Sequence, residues 1–172
     1  MSKIEFIDSE IIPKLIEKFP EIEFQKIIFR EETSITIPKE GLHTVISFLK
    51  SELGFDILKD IYCVDWYKKN PRFEVGYNLF SLKDNLRLRI KTTCTEDSPR
   101  VDSICNLYTA ANWYEREAFD MHGIYFSHHP DLRRMYMPDD FNNPSTGEPL
   151  YPLRKDFPVM GIPGSLPLPQ RD

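Results

Sequence analysis

The sequence is short of cysteine and glycine, carries no excess of basic residues, and contains no long apolar run. Its 3 cysteines, Cys63, Cys94 and Cys105, are scattered and form no CxxC pair. An odd, dispersed set predicts reduced thiols in a cytosol-like compartment. It also falls short of the full thiolate set of an ordinary iron–sulfur cluster, so electrons passing nearby travel on another chain. The 7 glycines include no phosphate loop and no GxGxxG fingerprint, which argues against a bound dinucleotide. Lys and Arg total 22 against 27 acids, a net charge of -5. Such a balance lacks the footprint of a nucleic-acid binder and reads as ordinary solubility. No stretch approaches the roughly 18 apolar residues of a membrane span, so any membrane association would run through a complex. The opening MSKIEFIDSE lacks a basic segment followed by an apolar run, and no targeting address is expected there.

What is present fits a folded core. Apolar residues make up 41% of the 172, with 12 Phe and 8 Tyr, enough for a single domain. DSEIIPKLIEKF sets Ile11, Ile12, Leu15, Ile16 and Phe19 on a helical stripe with Asp8 or Ser9 as N-cap. KIIFRE and SITIP read as short strands joined by a polar turn. Leu42, Val45, Ile46, Leu49 and Leu53 repeat at helical spacing until Gly54 stops the helix. DIYCVDW reads as a buried strand. Phe73, Val75, Tyr77 and Leu79 alternate, as do Leu86, Leu88 and Ile90, and the turn KDN between them predicts an antiparallel hairpin. The fold class expected is α+β, helices packed on a mostly antiparallel sheet.

The character changes near residue 137. Eight of the 14 prolines fall between Pro138 and Pro169, which disfavours regular structure. Phe141, Leu150, Leu153, Phe157, Val159, Ile162 and Leu166 nevertheless run through this stretch. The division expected is therefore an α+β domain over 1–136 and an extended proline-rich arm over 137–172. An apolar arm without its own fold needs a surface, and extended it reaches on the order of 100 Å. A partner's surface is the better expectation.

Between them, ANWYEREAFDMHGIYFSHHPDLRRM gathers acids, arginines and histidines. As a metal site it spaces its donors poorly: Phe119 stands three before His122, and the neighbours His128 and His129 point to opposite faces if extended. As an acid/base site it offers Glu115, Glu117 and Asp120 but no accompanying nucleophile motif. A structural reading explains more residues. Asn112 followed by Glu115 looks like a capping box, Gly123 suits the C′ position, and His122 sits at the negative end of the helix dipole. Arg116 and Asp120 are spaced as an i, i+4 pair. Charges on a helix with apolar contacts on several sides should be paired, since an orphaned buried charge costs about 3–5 kcal/mol. The cluster thus reads as an ionic knot that fixes an interface.

The string YEREAFDMHGIYF, then HPDLRRM, then PLRKDFPVMG closely resembles the 30-kDa subunit family of proton-pumping NADH:quinone oxidoreductase, respiratory complex I. The α+β domain of that family also fits residues 1 to about 110, so the resemblance covers nearly the whole chain. His122 replaces a usual apolar residue, His128 replaces a usual glycine, and NNPSTGEPLY is longer than the family's compact loop.

The resemblance implies a subunit without a cofactor of its own, in the peripheral arm of the enzyme. FMN, iron–sulfur clusters and quinone would belong to partner subunits. The partners it implies are a 49-kDa-type subunit, wrapped by the C-terminal arm, and iron–sulfur subunits. The implied location is the cytoplasmic face of a bacterial inner membrane, peripheral, or its organelle equivalent. Glu115, Arg116, Glu117 and Asp120 would form the knot. His129 belongs to the same ordered string. Arg133, Arg134, Arg154, Lys155 and Asp156 would be polar contacts to the partner, and Leu153, Phe157 and Val159 apolar anchors. Alternatives are the equivalent subunit of a membrane-bound hydrogenase or an F420H2- or formate-linked complex, a free-standing adaptor, and a self-sufficient metal-dependent enzyme.

Overall fold

The computed structural model describes residues 3–30 and 32–158. α1 (Lys3–Phe6), a π-helical turn (Ile7–Ile11) and α2 (Ile12–Lys18) run on without a break. The wide turn precedes Pro13, whose missing N–H and bulky ring cannot continue a regular ladder. Asp8 and Ser9 therefore lie inside a helical run and not at its start. Phe6 packs on the core and draws the helix upstream. The buried stripe is Ile7, Ile11, Leu15 and Phe19, one helical row, while Ile16 is 52% exposed.

β1 (Gln25–Phe29) and β2 (Glu32–Thr36) form a hairpin, and a 3-10 turn (Lys39–Gly41) leads into α3 (Leu42–Ser51). Gly54 adopts φ 69° beyond that helix. β3 (Ile57–Asp65), β4 (Phe73–Ser81) and β5 (Leu86–Cys94) follow, then β6 (Arg100–Asp102), α4 (Ala111–His122) and β7 (Tyr125–Ser127). The large sheet has the order β1-β2-β5-β4-β3, antiparallel throughout except for β2 beside β5. β6 and β7 pair in parallel, as a strand–helix–strand crossover requires. The α+β class and the β4–β5 hairpin stand as expected.

One sheet face is apolar. Ile35, Val75, Leu79, Leu88 and Ile90 meet Leu15, Leu42, Val45 and Leu49 from the helices in a continuous core. The other face is an ionic lattice: Lys91 pairs with Glu74 at 3.0 Å, and Arg89 with Glu32 at 2.8 Å. The Tyr62 ring lies across Gly76, where a Cβ would come within 2.1 Å of it. α4 lies against the edge strand β3, and the Tyr114 hydroxyl donates to the Lys59 carbonyl at 2.8 Å.

Beyond β7 the described chain is irregular, with an isolated bridge between Asn142 and Pro149. It is not loose. The segment from Arg133 to Pro158 returns across α4 and the ends of β3 and β4, and it builds the site below.

Candidate docking site on α4 and the returning strap

α4 ends where sequence predicts. Gly123 takes φ 73° and donates its N–H to the Phe119 carbonyl at 2.8 Å, closing the helix in the left-handed conformation. A side chain at 123 would also strike the strap: a Cβ there would sit 2.6 Å from Arg154 Nη2 and from the Tyr151 ring. The helix start differs. Ala110 occupies the cap position without a side-chain bond, and Asn112 lies inside the helix. Asn112 instead offers its carbonyl to His129 Nε2 at 3.2 Å.

The four charges expected to form one knot point to four different places. Glu115 is fully buried and staples the preceding turn: it accepts the Ile104 N–H at 2.8 Å and the Cys105 thiol at 3.4 Å. Burial pushes its carboxyl above the usual range, against the pull of these donors. Arg116 is not paired with Asp120. It donates to the Arg133 and Arg134 carbonyls at 3.2 and 3.1 Å, beneath the exposed ring of Trp113. Glu117 is exposed and joins no ion pair among the described residues. Asp120 is the true hub. Its Oδ2 accepts the N–H groups of Met135, Tyr136 and Met137 at 2.7 to 3.0 Å, and its Oδ1 meets Arg134 Nη1 at 2.8 Å. Burial raises this carboxyl, but the three backbone donors and the guanidinium outweigh it and hold the group ionised. The i, i+4 pairing fails because a folded-back turn with three free N–H groups satisfies a buried carboxylate better than Arg116 alone would.

Cys105, Glu115 and His129 bring ligand-type atoms within 4.8 Å of one another. Each is already engaged. The thiol donates to Glu115, and His129 Nδ1 accepts the Asp131 N–H at 3.0 Å, which leaves Nε2–H to donate to Asn112. The group is a hydrogen-bonded staple, and coordination would require breaking it.

The arginines and the strap turn inward. Arg134 donates to the Leu150 carbonyl at 3.1 Å and to Phe141 at 3.4 Å. Arg154 Nε donates to the His122 carbonyl at 2.6 Å, and its guanidinium lies over Tyr151 and Phe73. The Lys155 N–H reaches Asp65 Oδ2 at 2.9 Å, and Asp156 meets Arg72 at 3.0 Å. Phe157 stacks on Phe141. Arg134, Arg154, Asp156 and Phe157, expected to face a partner, are therefore held by the chain itself. Backbone carbonyls at a helix end and a buried carboxylate lay within reach, and an arginine near them satisfies both. Arg133 and Asp131 form an exposed pair at 2.9 Å, the Lys155 side chain is exposed, and Leu153 is 54% exposed. Val159 lies outside the described residues.

Sequence reasoning missed the anchor of this strap. Asp65 and Arg72, both buried, form a two-point pair through Nε at 2.9 Å and Nη2 at 2.7 Å. Arg72 holds the Asp65 carboxyl far below the usual range, and burial opposes this only in part. The signal was there: Asp65 falls on the same strand alternation as the buried Ile61. His122 is a further departure. It is buried, its Nδ1 has no hydrogen-bond partner among the described residues, and burial pushes its pKa down to about 4, so it is neutral and offers the helix dipole no charge.

Among the residues left exposed are Trp113, Glu117, Arg133, Tyr136, Leu153 and Lys155. Trp113 and Tyr136 are each 59% exposed. The arrangement holds a shape. Among the described residues, the Cys105, Glu115 and His129 group that does converge is spent on internal hydrogen bonds.

The profile of the family described as respiratory-chain NADH dehydrogenase, 30-kDa subunit, matches residues 35–162. An NADH-quinone oxidoreductase subunit from Geotalea uraniireducens is 42% identical over 154 residues, which is 90% of this chain and 90% of that protein. Among solved structures, a trypsin-resistant fragment (1-134) of Nqo5 superposes with a TM-score of 0.63 at 27% identity, covering 76% of this chain and 99% of that one. A chain of the archaeal membrane-bound sulfane sulfur reductase gives 0.69 at 29% identity, covering 89% and 86%. No helix among the described residues is long and apolar enough to cross a membrane. By sequence and by fold alike, this chain belongs to the 30-kDa subunit family of respiratory-chain NADH dehydrogenase.

Proposed function

We propose that this chain is a structural subunit of the peripheral arm of an NADH:quinone oxidoreductase, docking a 49-kDa-type subunit. Its work is to hold a neighbour in place while FMN, iron–sulfur clusters and quinone on partner subunits carry the electrons that drive proton translocation. The observation that supports this most is the exposed set Trp113, Tyr136 and Leu153 on a scaffold locked by Asp120, Arg134 and Arg72. Rigid aromatics on a preorganised surface are the usual anchors of protein interfaces. The arm over 137–172 would begin as the strap and continue onto the partner. The likeness to a trypsin-resistant fragment (1-134) of Nqo5, which covers 76% of this chain, supports a folded domain distinct from an arm.

A second reading keeps the scaffold and changes the enzyme. The likeness to a chain of a sulfane sulfur reductase supports the same docking role in a membrane complex with another electron donor. Purification of the tagged chain from its native membranes in mild detergent separates the two. Recovery with a 49-kDa-type subunit, iron–sulfur subunits and an NADH-binding flavoprotein is the expected result. Recovery with a nickel-ligating or sulfur-reducing partner set would favour the second reading, and recovery of the chain alone would refute both.

A further inference from the structure

β1 occupies one edge of the large sheet, the edge opposite α4 and the strap. Among the described residues it pairs with β2 alone, so its outer row of backbone N–H and C=O groups faces outward. All five of its residues, QKIIF, are exposed. Ile27, Ile28 and Phe29 are 53%, 44% and 68% exposed, so bulky apolar side chains stand on both faces of an edge strand. The usual protections of an open edge are scarce here: the strand has no proline and no bulge, and Lys26 is its only charge.

We infer that the outer edge of β1 receives an extended strand from another subunit of the assembly, by main-chain pairing reinforced by apolar contacts on both faces. The inference rests on the proposed function and adds a second, separate contact. Backbone groups in a row recognise another extended backbone, and the exposed Ile27, Ile28 and Phe29 call for apolar side chains on the incoming strand.

Two other occupants fit less well. The stretch VMGIPGSLPLPQRD of this chain holds no run of five without proline, so it offers fewer ladder N–H groups and fits a five-residue edge less well. A second copy fits poorly on charge and on size. Antiparallel self-pairing centred on Ile28 brings Lys26 of each copy to Arg30 of the other, a like-charge contact at both ends. Such an edge is one strand wide and about 17 Å long, short of the roughly 800 Å² per partner that a stable dimer needs. A strand delivered by a subunit already bound elsewhere on the complex does not need that area, because its pairing is effectively intramolecular.

Amide hydrogen exchange over residues 25–29 tests this, measured on the isolated chain and on the complex recovered from native membranes. The outward-facing amides should exchange at least about tenfold more slowly in the complex. Equal exchange in a complex that does contain its partner subunits overturns this inference alone and leaves the proposed function standing. A chain that brings down no partner overturns both. Ile28→Lys provides the independent arm: it should leave the thermal transition of the isolated chain in place and reduce its recovery in the complex severalfold. Full recovery would count against the β1 contact. Light scattering should show the isolated chain as a monomer, and a dimer dissolved by Ile28→Lys would reassign the edge to a second copy.

Discussion

Asp120 shows how a single side chain organises this surface. Its carboxylate closes a turn of three consecutive N–H groups and neutralises Arg134, which in turn holds the Leu150 carbonyl. Asp120→Asn keeps the shape but removes the charge and leaves a buried guanidinium unpaired. A loss of about 3–5 kcal/mol in urea unfolding is expected. His122 makes a second prediction at this scale. In the unfolded chain it titrates near 6.5, whereas the folded chain keeps it neutral down to about 4. Between those values only the unfolded state takes up the proton, so stability falls as the pH drops through this window, by on the order of 3 kcal/mol in full. His122→Phe should flatten that acid limb in pH-dependent melts, leaving the contribution of His129, which has the same sign, and that of Glu115, whose raised carboxyl has the opposite one. An acid limb unchanged in His122→Phe would mean that the proton enters elsewhere. Of these roles, sequence revealed the charged cluster and its helix but not the partners of each charge. Helical spacing pairs Arg116 with Asp120, yet both prefer backbone groups of the segment 133–137, which no local pattern connects to α4.

The strap is the element where structure departs most from sequence. Proline content and apolar residues predicted an arm over 137–172 without regular structure, and its described part, up to residue 158, holds only an isolated bridge. That the surface over 138–158 is the chain's own domain depends on Asp65 and Arg72, about ninety residues upstream. Contacts so distant in sequence leave no periodic trace. Gly123 is the hinge of the arrangement, fixed both by its positive φ and by the Tyr151 and Arg154 side chains above it. Gly123→Ala should cost about 1–2 kcal/mol for the backbone alone and lift the strap from the helix end. Trypsin at Arg154 and Lys155 provides the readout. Cleavage of the isolated chain should be faster in Gly123→Ala and in Arg72→Ala than in wild type, and slower than all of them in the assembled complex. Equal rates for wild type and Arg72→Ala would show that the Asp156 and Asp65 contacts do not hold the strap. By contrast β4, β5 and α3 were plain in the sequence, because alternation and helical spacing act within a few residues.

At the scale of the whole molecule, two surfaces of the described residues are proposed to meet other chains: the exposed side of α4 with the strap, and the edge of β1 across the sheet. Trp113→Ala and Leu153→Ala together should leave the fold intact and weaken association with the 49-kDa-type subunit by about 10- to 100-fold, as loss of central anchors does. A rigid scaffold with outward aromatics suits a subunit that positions its neighbours. The most direct measurement is a site-specific photocross-link from position 153 in native membranes, with the adduct identified by mass spectrometry. An adduct with the 49-kDa-type subunit is expected, lost when the complex is dissociated before illumination. A cross-link confined to this chain, or one unchanged by dissociation, would contradict it.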